Sequence, residues 1–250
     1  MRKVIDCFTF YNEFKILDLR LAELQGVVDH FVLVESNKTH SGAKKALFFD
    51  QVKERYRHYP IVHVIVEDMP SGRDAWDREN HQRNCISRGL GRLSLSDSDL
   101  IVVADVDEIP DPCTLELIVK SGINNECYEL EMDFYYYNFR CKWDEKWYHP
   151  KVVNFAKYKE IGGAESVRKY IGKFAIPNGG WHLSYFGDIE FIRNKLISFA
   201  HQEYNSDEYT NFEHIEKCIR EGVSLFGDAK TLYVDPARNN YLPRNWHLLT

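Results

Sequence analysis

The chain has 250 residues, and its 32 lysine and arginine residues against 38 aspartate and glutamate residues give a net charge of −6. Hydrophobic residues make up 44% and charged residues 28% of the sequence, which is the balance of a globular protein and excludes a disordered one. The sequence has no stripe of basic residues that could bind the phosphates of a nucleic acid. It also has no run of about 18 apolar residues that would predict a membrane span.

Short apolar runs alternate with amphipathic helical stretches in the first half of the chain. Strands are predicted over residues 4–10, 28–34, 61–66 and 100–104, and helices over residues 14–24, 47–56 and 77–89. This alternation is typical of strand–helix–strand units around a mostly parallel sheet, so it predicts the α/β class. The strand over 100–104 is apolar throughout, which indicates that both faces of the sheet are covered.

Aromatic residues are dense in the second half, where the pattern changes. A long strand is predicted over residues 128–139, and short strands over 151–155 and 173–176. Helices are predicted over residues 164–170, 189–202 and 212–221, followed by an irregular tail from residue 235. This half predicts a mixed sheet. The length of the chain predicts a single domain over residues 1–250.

The six cysteines are far apart in the sequence and form no Cys-x-x-Cys pair. This spacing gives no support to a cysteine-based zinc site and predicts reduced thiols, with Cys127 to Cys141 as the one pairing left open. Without a signal peptide or an anchor in this sequence, we expect a cytoplasmic protein that works in a reducing environment.

Three carboxylates follow the apolar run 100–104, within residues 104–110 (ADVDEIP). The carboxyl ends of parallel strands meet the crevice where open α/β sheets bind ligands. Asp105 and Asp107 are two residues apart, so in an extended chain both side chains point the same way, and a cation between them relieves their repulsion. The pattern predicts Mn²⁺ or Mg²⁺. There are two alternatives: a solvated turn that caps a helix starting near Pro112, with Asp111 as the N-cap, and a phosphatase-type nucleophilic Asp-x-Asp at the strand end.

Two further segments accompany the acidic turn, residues 179–187 (GGWHLSYFG) and 198–205 (SFAHQEYN). Together with the opening segments 8–13 (FTFYNE) and 20–24 (RLAEL), they resemble glycosyltransferase family 17. That family contains the β-1,4-mannosyl-glycoprotein 4-β-N-acetylglucosaminyltransferases. The resemblance runs from about residue 3 to about residue 205.

The resemblance implies a GT-A fold, with a Rossmann-like, mostly parallel central sheet and an added mixed-sheet acceptor region. Residues 1–110 would form the half that binds the nucleotide sugar, and residues 111–250 the half that binds the acceptor, with the C-terminal helices. The implied reaction is metal-dependent, inverting transfer of a sugar, expected to be N-acetylglucosamine, from a UDP-sugar to a glycan or glycoprotein acceptor.

This reaction requires positive charge that neutralises the departing diphosphate and a base that accepts the proton of the acceptor hydroxyl. Asp107 is expected to be the first metal ligand, with Asp105 on the metal or the ribose and Glu108 behind them. His182 is expected to be a further metal ligand that closes the site. Glu165, at the head of the helix over 164–170, is the first candidate for the base.

Residues that are expected to bind the nucleotide lie at strand ends and on the helix over 77–89. They are Phe10, Asn12, Glu13, Glu35, Asp68, Arg83, Asn84 and Asp105. Arg78 and Arg83 are five residues apart, so we expect only Arg83 to reach the diphosphate and Arg78 to be a surface charge.

Two rival assignments of the base and two other function classes remain open. Glu145 and Glu190 are the rivals of Glu165 for the base. A sugar-nucleotide nucleotidyltransferase would share the α/β half and the metal, but it usually has a glycine-rich loop near the first strand, and residues 8–14 contain no glycine. A function as a non-catalytic carbohydrate-binding protein would explain the aromatic residues but would give the acidic turn no role.

Overall fold

A computed structural model of the chain describes residues 2–122, 125–227 and 231–250. Its strands are β1 Val4–Phe10, β2 His30–Ser36, β3 Ile61–Val66, β4 Leu100–Asp105, β5 Glu108–Pro110, β6 Cys127–Tyr136, β7 Cys141–Lys142, β8 Lys151–Asn154, β9 Ala175–Ser184 and β10 Leu232–Tyr233. Its α-helices are α1 Phe14–Leu24, α2 Phe48–Val52, α3 Ala75–Asn84, α4 Ile86–Leu90, α5 Pro112–Ser121, α6 Phe155–Ile161, α7 Ala164–Lys169, α8 Ile189–Ser198, α9 Asp207–Thr210 and α10 Phe212–Glu221. Short 3₁₀ helices cover Lys53–Tyr56, Gln202–Tyr204, Pro236–Arg238 and Trp246–Leu249.

The strands form one mixed sheet in the order β10-β7-β6-β8-β4-β1-β2-β3. Strands β4, β1, β2 and β3 run parallel to one another, whereas β8 pairs antiparallel with both β4 and β6. Strand β9 runs parallel to β6 and pairs antiparallel with β5. The predicted α/β class, with a parallel first half and a mixed second half, is confirmed.

Both faces of β1, β2 and β4 are buried, as their mostly apolar sequences predict. Val4 and Phe8 of β1 pack in the cluster that contains the leucines of α1. Ile5 and Cys7, which point to the other face, pack with residues of α4 and α7, among them Ile86. The alternation of side chains along β1 therefore joins two hydrophobic layers, and the carboxyl end of the strand is left for function.

Several predicted boundaries differ from the structure. The second strand is shifted to His30–Ser36, because its pairing with β3 continues as far as Ser36 opposite Val66. The helix predicted over 77–89 begins at Ala75, after the N-cap Asp74, and breaks at Cys85 into α3 and α4. The stretch 47–56 is a short α-helix followed by a 3₁₀ helix.

Strand β9 joins the strand predicted over residues 173–176 to the glycine pair that opens the segment 179–187. Both glycines lie inside the strand, where its register with β6 shifts between Leu130 and Met132. Gly180 has φ 141°, and a Cβ there would lie 2.1 Å from the carbonyl oxygen of Ile109. Glycine is therefore required for β5 to approach β9.

The structure bears on two predictions from the sequence, the state of the cysteines and the absence of a membrane-spanning run. All six cysteines are free thiols, so the Cys127 to Cys141 pairing that the sequence left open does not form. Within the described ranges, no helix is both long enough and apolar enough to cross a membrane.

Candidate active site

A cleft of about 1050 Å³ opens where β1 and β4 end. Phe10 and Tyr11 line it from the end of β1, and the acidic turn Asp105 to Glu108 lines it from the end of β4. Side chains of α3, α7, β9 and α8 complete its walls. This is the position at which open α/β sheets bind their ligands.

Arg20 fixes the backbone of the acidic turn from inside the protein. Its side chain is fully buried, and its Nε and Nη2 donate to the two carboxylate oxygens of Asp6 at 2.7 and 2.6 Å. Its Nη1 donates to the carbonyl oxygens of Asp105, Val106 and Glu108 at 2.9, 3.1 and 2.7 Å. One guanidinium thus holds three carbonyl groups of the turn in place.

Two carboxylates of the turn share a guanidinium. Arg168 donates from Nη2 to Asp105 at 2.8 Å and to Glu108 at 2.7 Å, and Arg83 donates to Asp105 at 3.2 Å. The indole of Trp147 donates to Glu108 at 2.6 Å. Burial alone would raise the pKa of Asp105 and of Glu108, but the guanidiniums outweigh it and hold both pKa values below their usual range. Both side chains are therefore carboxylates in the folded protein.

These pairs predict how stability depends on pH. The pKa values of Asp105 and Glu108 are lowered by folding, so their contribution is fully present above the unfolded values of about 3.9 and 4.3. It is lost progressively as the pH falls from these unfolded values to the lower folded pKa values, so part of it is gone at about pH 3.5. Urea unfolding at about pH 6 and about pH 3.5 should show this loss, and the Asp105→Asn variant should lose less stability over that interval than the wild type. Equal losses would mean that Asp105 does not contribute.

Asp107 has different partners from Asp105. Lys195 of α8 donates to it at 2.7 Å, and His182 Nε2 lies 3.8 Å from its other oxygen. The sequence suggests an extended chain over residues 105–107, but the chain turns at Val106 and Asp107. The two aspartates are therefore neutralised by separate cations of the chain itself.

The predicted metal ligands are not gathered as a ready three-ligand cluster. Among residues 2–122, 125–227 and 231–250, one set of three His, Cys, Asp or Glu side chains has ligand atoms that all lie within 4.8 Å of one another. This set is Asp68, His81 and Cys85. Asp105, Asp107 and His182 do not form such a group, although all three line the same cleft. Their role as metal ligands stays a prediction.

His182 is buried and also lines the cleft. Its ring stacks on Phe134 and contacts Trp147 in a tilted arrangement, with ring centroids 4.4 and 4.3 Å away. Burial lowers its pKa, so the ring is neutral at pH 7. Its Nδ1 is buried and has no hydrogen-bond partner among the residues that the structure describes. A neutral ring with an unused nitrogen at a cleft wall is suited to bind a ligand.

Of the residues that were predicted to bind the nucleotide, four line the cleft. They are Phe10, Glu13, Arg83 and Asp105. The side-chain oxygen of Asn12 is buried without a hydrogen-bond partner in the described part of the chain. Asn84 accepts a hydrogen bond from the backbone N–H of Glu165 at 3.1 Å, so it positions α7 rather than a ligand.

Glu35 and Asp68 lie outside the cleft, which corrects two predictions. Glu35 is inside β2 instead of at its end, and its fully buried carboxylate accepts the backbone N–H of Phe49 at 3.0 Å. Asp68 follows the edge strand β3 and is exposed, and both its oxygens accept hydrogen bonds from Arg88. Strand boundaries and sheet order, which the sequence does not fix, decide both cases.

Arg78 is not the surface charge that the sequence suggested. Its side chain is buried, and it donates to the backbone carbonyl oxygens of His40, Gly72 and Arg73. It therefore ties together two loops beside the cleft. Satisfying several carbonyl groups is a task to which the five donors of a guanidinium are well suited.

The three candidates for the base have different surroundings. Glu165 lines the cleft, but Arg83 donates to it at 2.5 Å and Lys169 lies 2.8 Å away. Burial works against ionisation of Glu165, yet these two cations lower its pKa, which makes it a weak base. Glu190 is exposed and does not line the cleft. Glu145 is exposed, lines the cleft, and has no hydrogen bond or ion pair within the described ranges.

Several basic side chains of the cleft were not predicted from the sequence, among them Arg168, Lys195 and Lys45. Arg168 lies three residues after Glu165, so a helix over 164–170 already places both on one face, and this signal was available. Lys195 and Lys45 carry no local signal. The ammonium of Lys45 lies 5.2 and 5.0 Å from the ring centres of Tyr11 and Phe48.

Comparison with known proteins adds to this geometry. The family model of glycosyltransferase family 17 matches residues 1–233. Proteins named beta-1,4-mannosyl-glycoprotein 4-beta-N-acetylglucosaminyltransferase from Rattus norvegicus, Mus musculus and Homo sapiens are 25% identical to the chain over 97% of its length. The chain spans about half the length of these curated relatives, 52%.

Two solved structures are similar to the chain at low identity. Residues 1–349 of TarS from S. aureus align with a TM-score of 0.47 and 14% identity, covering 86% of this chain and 71% of that one. GalNAc-T7, solved with UDP, GalNAc and Mn²⁺, aligns with a TM-score of 0.47 and 10% identity, covering 89% of this chain and 51% of that one. The match of the family model over residues 1–233 shows that the chain belongs to glycosyltransferase family 17.

Proposed function

We propose that the protein transfers N-acetylglucosamine from a UDP-sugar to a hydroxyl group of a glycan or glycoprotein acceptor, with inversion at the anomeric carbon and with the help of a divalent metal ion. The observation that carries the proposal is the cleft at the ends of β1 and β4, where the acidic turn faces basic side chains and an aromatic wall. The names of the curated relatives support the choice of sugar.

The donor side of the cleft suits a diphosphate. Arg83, Lys45 and Lys195 line it, and each is held by carboxylates or aromatic rings. A nucleoside diphosphate carries negative charge, which these cations can neutralise. Because their side chains are already held in place, little rearrangement is needed when the nucleotide binds. Asp105 is engaged by two guanidiniums, so we assign it to orienting Arg83 toward the nucleotide.

The donor set beside Asp107 fits a divalent ion. Asp107 offers a carboxylate, and His182 offers a neutral ring whose Nε2 lies 3.8 Å from an oxygen of that carboxylate. A mixed oxygen and nitrogen set favours Mn²⁺ over Mg²⁺, which prefers oxygen ligands. Asp107 and His182 would hold the ion, which would supply positive charge to the departing diphosphate when it is bound. GalNAc-T7 was solved with Mn²⁺.

The acceptor side is aromatic. Phe134 stacks on Trp143 with ring centroids 5.4 Å apart, and Trp147 and Tyr185 line the same region. Flat rings at a cleft wall suit the apolar faces of sugars. Glu145 lies in the chain between the two tryptophans and carries no cation of its own in the described ranges, so we propose it, and not Glu165, as the base.

In this scheme Glu145 accepts the proton of the acceptor hydroxyl while the hydroxyl oxygen bonds to the anomeric carbon. The bond from that carbon to the diphosphate oxygen breaks, and the electron pair leaves with UDP. The basic side chains of the cleft hold the departing UDP. Because attack and departure occur on opposite faces of the sugar, the anomeric configuration is inverted.

Incubation with UDP-N-acetylglucosamine, Mn²⁺ and an N-glycan should yield UDP and a glycan heavier by one N-acetylglucosamine residue, measured by mass spectrometry. Glu145→Gln should lower turnover by about 10²-fold or more, since general bases contribute about 10² to 10⁴. Glu165→Gln should chiefly weaken donor binding, because it removes the charge of one of the carboxylates that hold Arg83 in place. Glu190→Gln, an exposed change outside the cleft, is the matched control.

Two outcomes would contradict these proposals in different ways. Normal turnover in Glu145→Gln, with reduced turnover at unchanged donor affinity in Glu165→Gln, would return the base to Glu165. Pyrophosphate release from UTP and a sugar phosphate, with no transfer from any UDP-sugar to a glycan, would favour the nucleotidyltransferase alternative.

A further inference from the structure

We propose that the chain carries a second metal site, outside the cleft, in which Asp68, His81 and Cys85 bind a borderline divalent cation such as Zn²⁺. One carboxylate oxygen, one imidazole nitrogen and the thiol sulfur all lie within 4.8 Å of one another. In the part of the chain that the structure describes, this is the one group of at least three potential metal ligands whose ligand atoms lie so close together.

The positions of the three residues in the fold explain why they meet. His81 and Cys85 are four residues apart at the carboxyl end of α3, so one helical turn places both side chains on the same face. Asp68 comes from the loop after β3, against which this face packs. Arg83, two residues from His81, points instead to the cleft. The site and the cleft therefore lie on different faces of α3.

The chemistry of these side chains suits zinc better than magnesium or manganese. Thiolate, imidazole and carboxylate are the ligands that Zn²⁺ uses in proteins, commonly with water in a fourth position. Nε2 of His81 is buried without a hydrogen-bond partner among the described residues and lies 3.5 Å from Asp68 Oδ1. Cys85 is buried and free, and a bound ion would displace its proton.

Arg88 is the group that competes with a metal for Asp68. It donates to Oδ1 at 2.8 Å and to Oδ2 at 2.6 Å. The side chains of Arg88 and Asp68 are 43% and 56% exposed, and ion pairs with such exposure contribute little in water. A metal on Oδ1 would leave the hydrogen bond from Arg88 to Oδ2 in place. The solvent-exposed carboxylate also gives an ion a route into the site.

The spacing of the cysteines in the sequence gives no support to this site, because it needs only one of them. Folding supplies the other two ligands from a helix and a loop. An ion there would tie the loop after β3 to the helix that carries Arg83. The inference does not depend on the proposed reaction, since no cysteine lines the cleft.

The test uses Co²⁺ as a spectroscopic probe of the full, reduced chain. A thiolate bound to Co²⁺ gives a charge-transfer absorption band, which only a site with cysteine can produce. We expect the band to saturate at one Co²⁺ per chain and to disappear when Zn²⁺ is added. Cys85→Ser should abolish the band, whereas Cys113→Ser, at the exposed cysteine, should leave it unchanged.

Two further variants separate loss of a ligand from loss of the fold. Asp68→Asn changes an exposed side chain, and His81→Gln keeps a polar group of similar length, so both should fold as judged by circular dichroism. Each should weaken Zn²⁺ binding by about 10-fold or more, measured by calorimetric titration. A band that persists in Cys85→Ser, or the absence of both a Co²⁺ band and Zn²⁺ binding in the wild type, would overturn the proposal.

Discussion

Replacement of Asp107 by asparagine should lower the turnover of sugar transfer by about 10²-fold or more while the fold is retained. Asparagine keeps the shape of the side chain and can still accept the hydrogen bond that Lys195 donates at 2.7 Å. It loses the negative charge that the proposed metal ion needs beside His182. Steady-state kinetics with UDP-N-acetylglucosamine and thermal unfolding of the same variant measure the two effects separately.

Asp97→Asn provides the matched control for this change. Asp97 is 72% exposed, pairs with Lys159 on the surface and does not line the cleft. Its replacement should leave turnover within about twofold of the wild type, because exposed pairs contribute little. If Asp107→Asn behaves like Asp97→Asn, the acidic turn has a structural role and the proposed metal site is wrong.

Replacement of Arg20 by methionine should destabilise the protein by about 3 to 5 kcal/mol, the range for breaking a buried ion pair from one side. Methionine fills much of the volume, but it leaves the carboxylate of Asp6 buried without a cation. It also removes the donor to the three carbonyl oxygens of the acidic turn. Denaturant unfolding measures the loss, and turnover should fall with it because the turn is no longer held.

Two comparisons isolate the cause of this loss. Arg55→Met removes an exposed arginine that pairs with Asp18, and it should cost less than about 1 kcal/mol. Adding Asp6→Asn to Arg20→Met should recover part of the stability, since the unpaired buried charge is then gone. Equal effects of the two arginine changes would show that the buried pair does not hold the turn.

The parallel half of the fold could be predicted because its strands are rich in apolar residues, and β1, β2 and β4 are buried on both faces. These runs of apolar residues place strands β1, β3 and β4 to within about a residue. Strand β5 could not be found, since three residues carry no periodicity and its pairing with β9 depends on the close approach at Gly180. Strand ends were less certain, and the shift of β2 moved Glu35 from the expected cleft into the core.

The candidate site was predictable where function breaks the local pattern. Acids after a buried strand and a histidine after a glycine pair stand out in the sequence, and both groups line the cleft. The partners of these residues were not predictable. Arg168 and Lys195 lie about 60 and 90 residues from the acidic turn along the chain, and only tertiary structure brings them to Asp105 and Asp107.

The central claim is that Asp107 and His182 hold a metal ion beside a bound nucleotide. Anomalous diffraction at the manganese edge, from crystals of the protein grown with UDP and Mn²⁺, tests it most directly. We predict an anomalous peak in contact with the Asp107 carboxylate and the His182 ring, next to the diphosphate of UDP. Bound UDP in the cleft without such a peak, or a peak that contacts neither residue, would contradict the account.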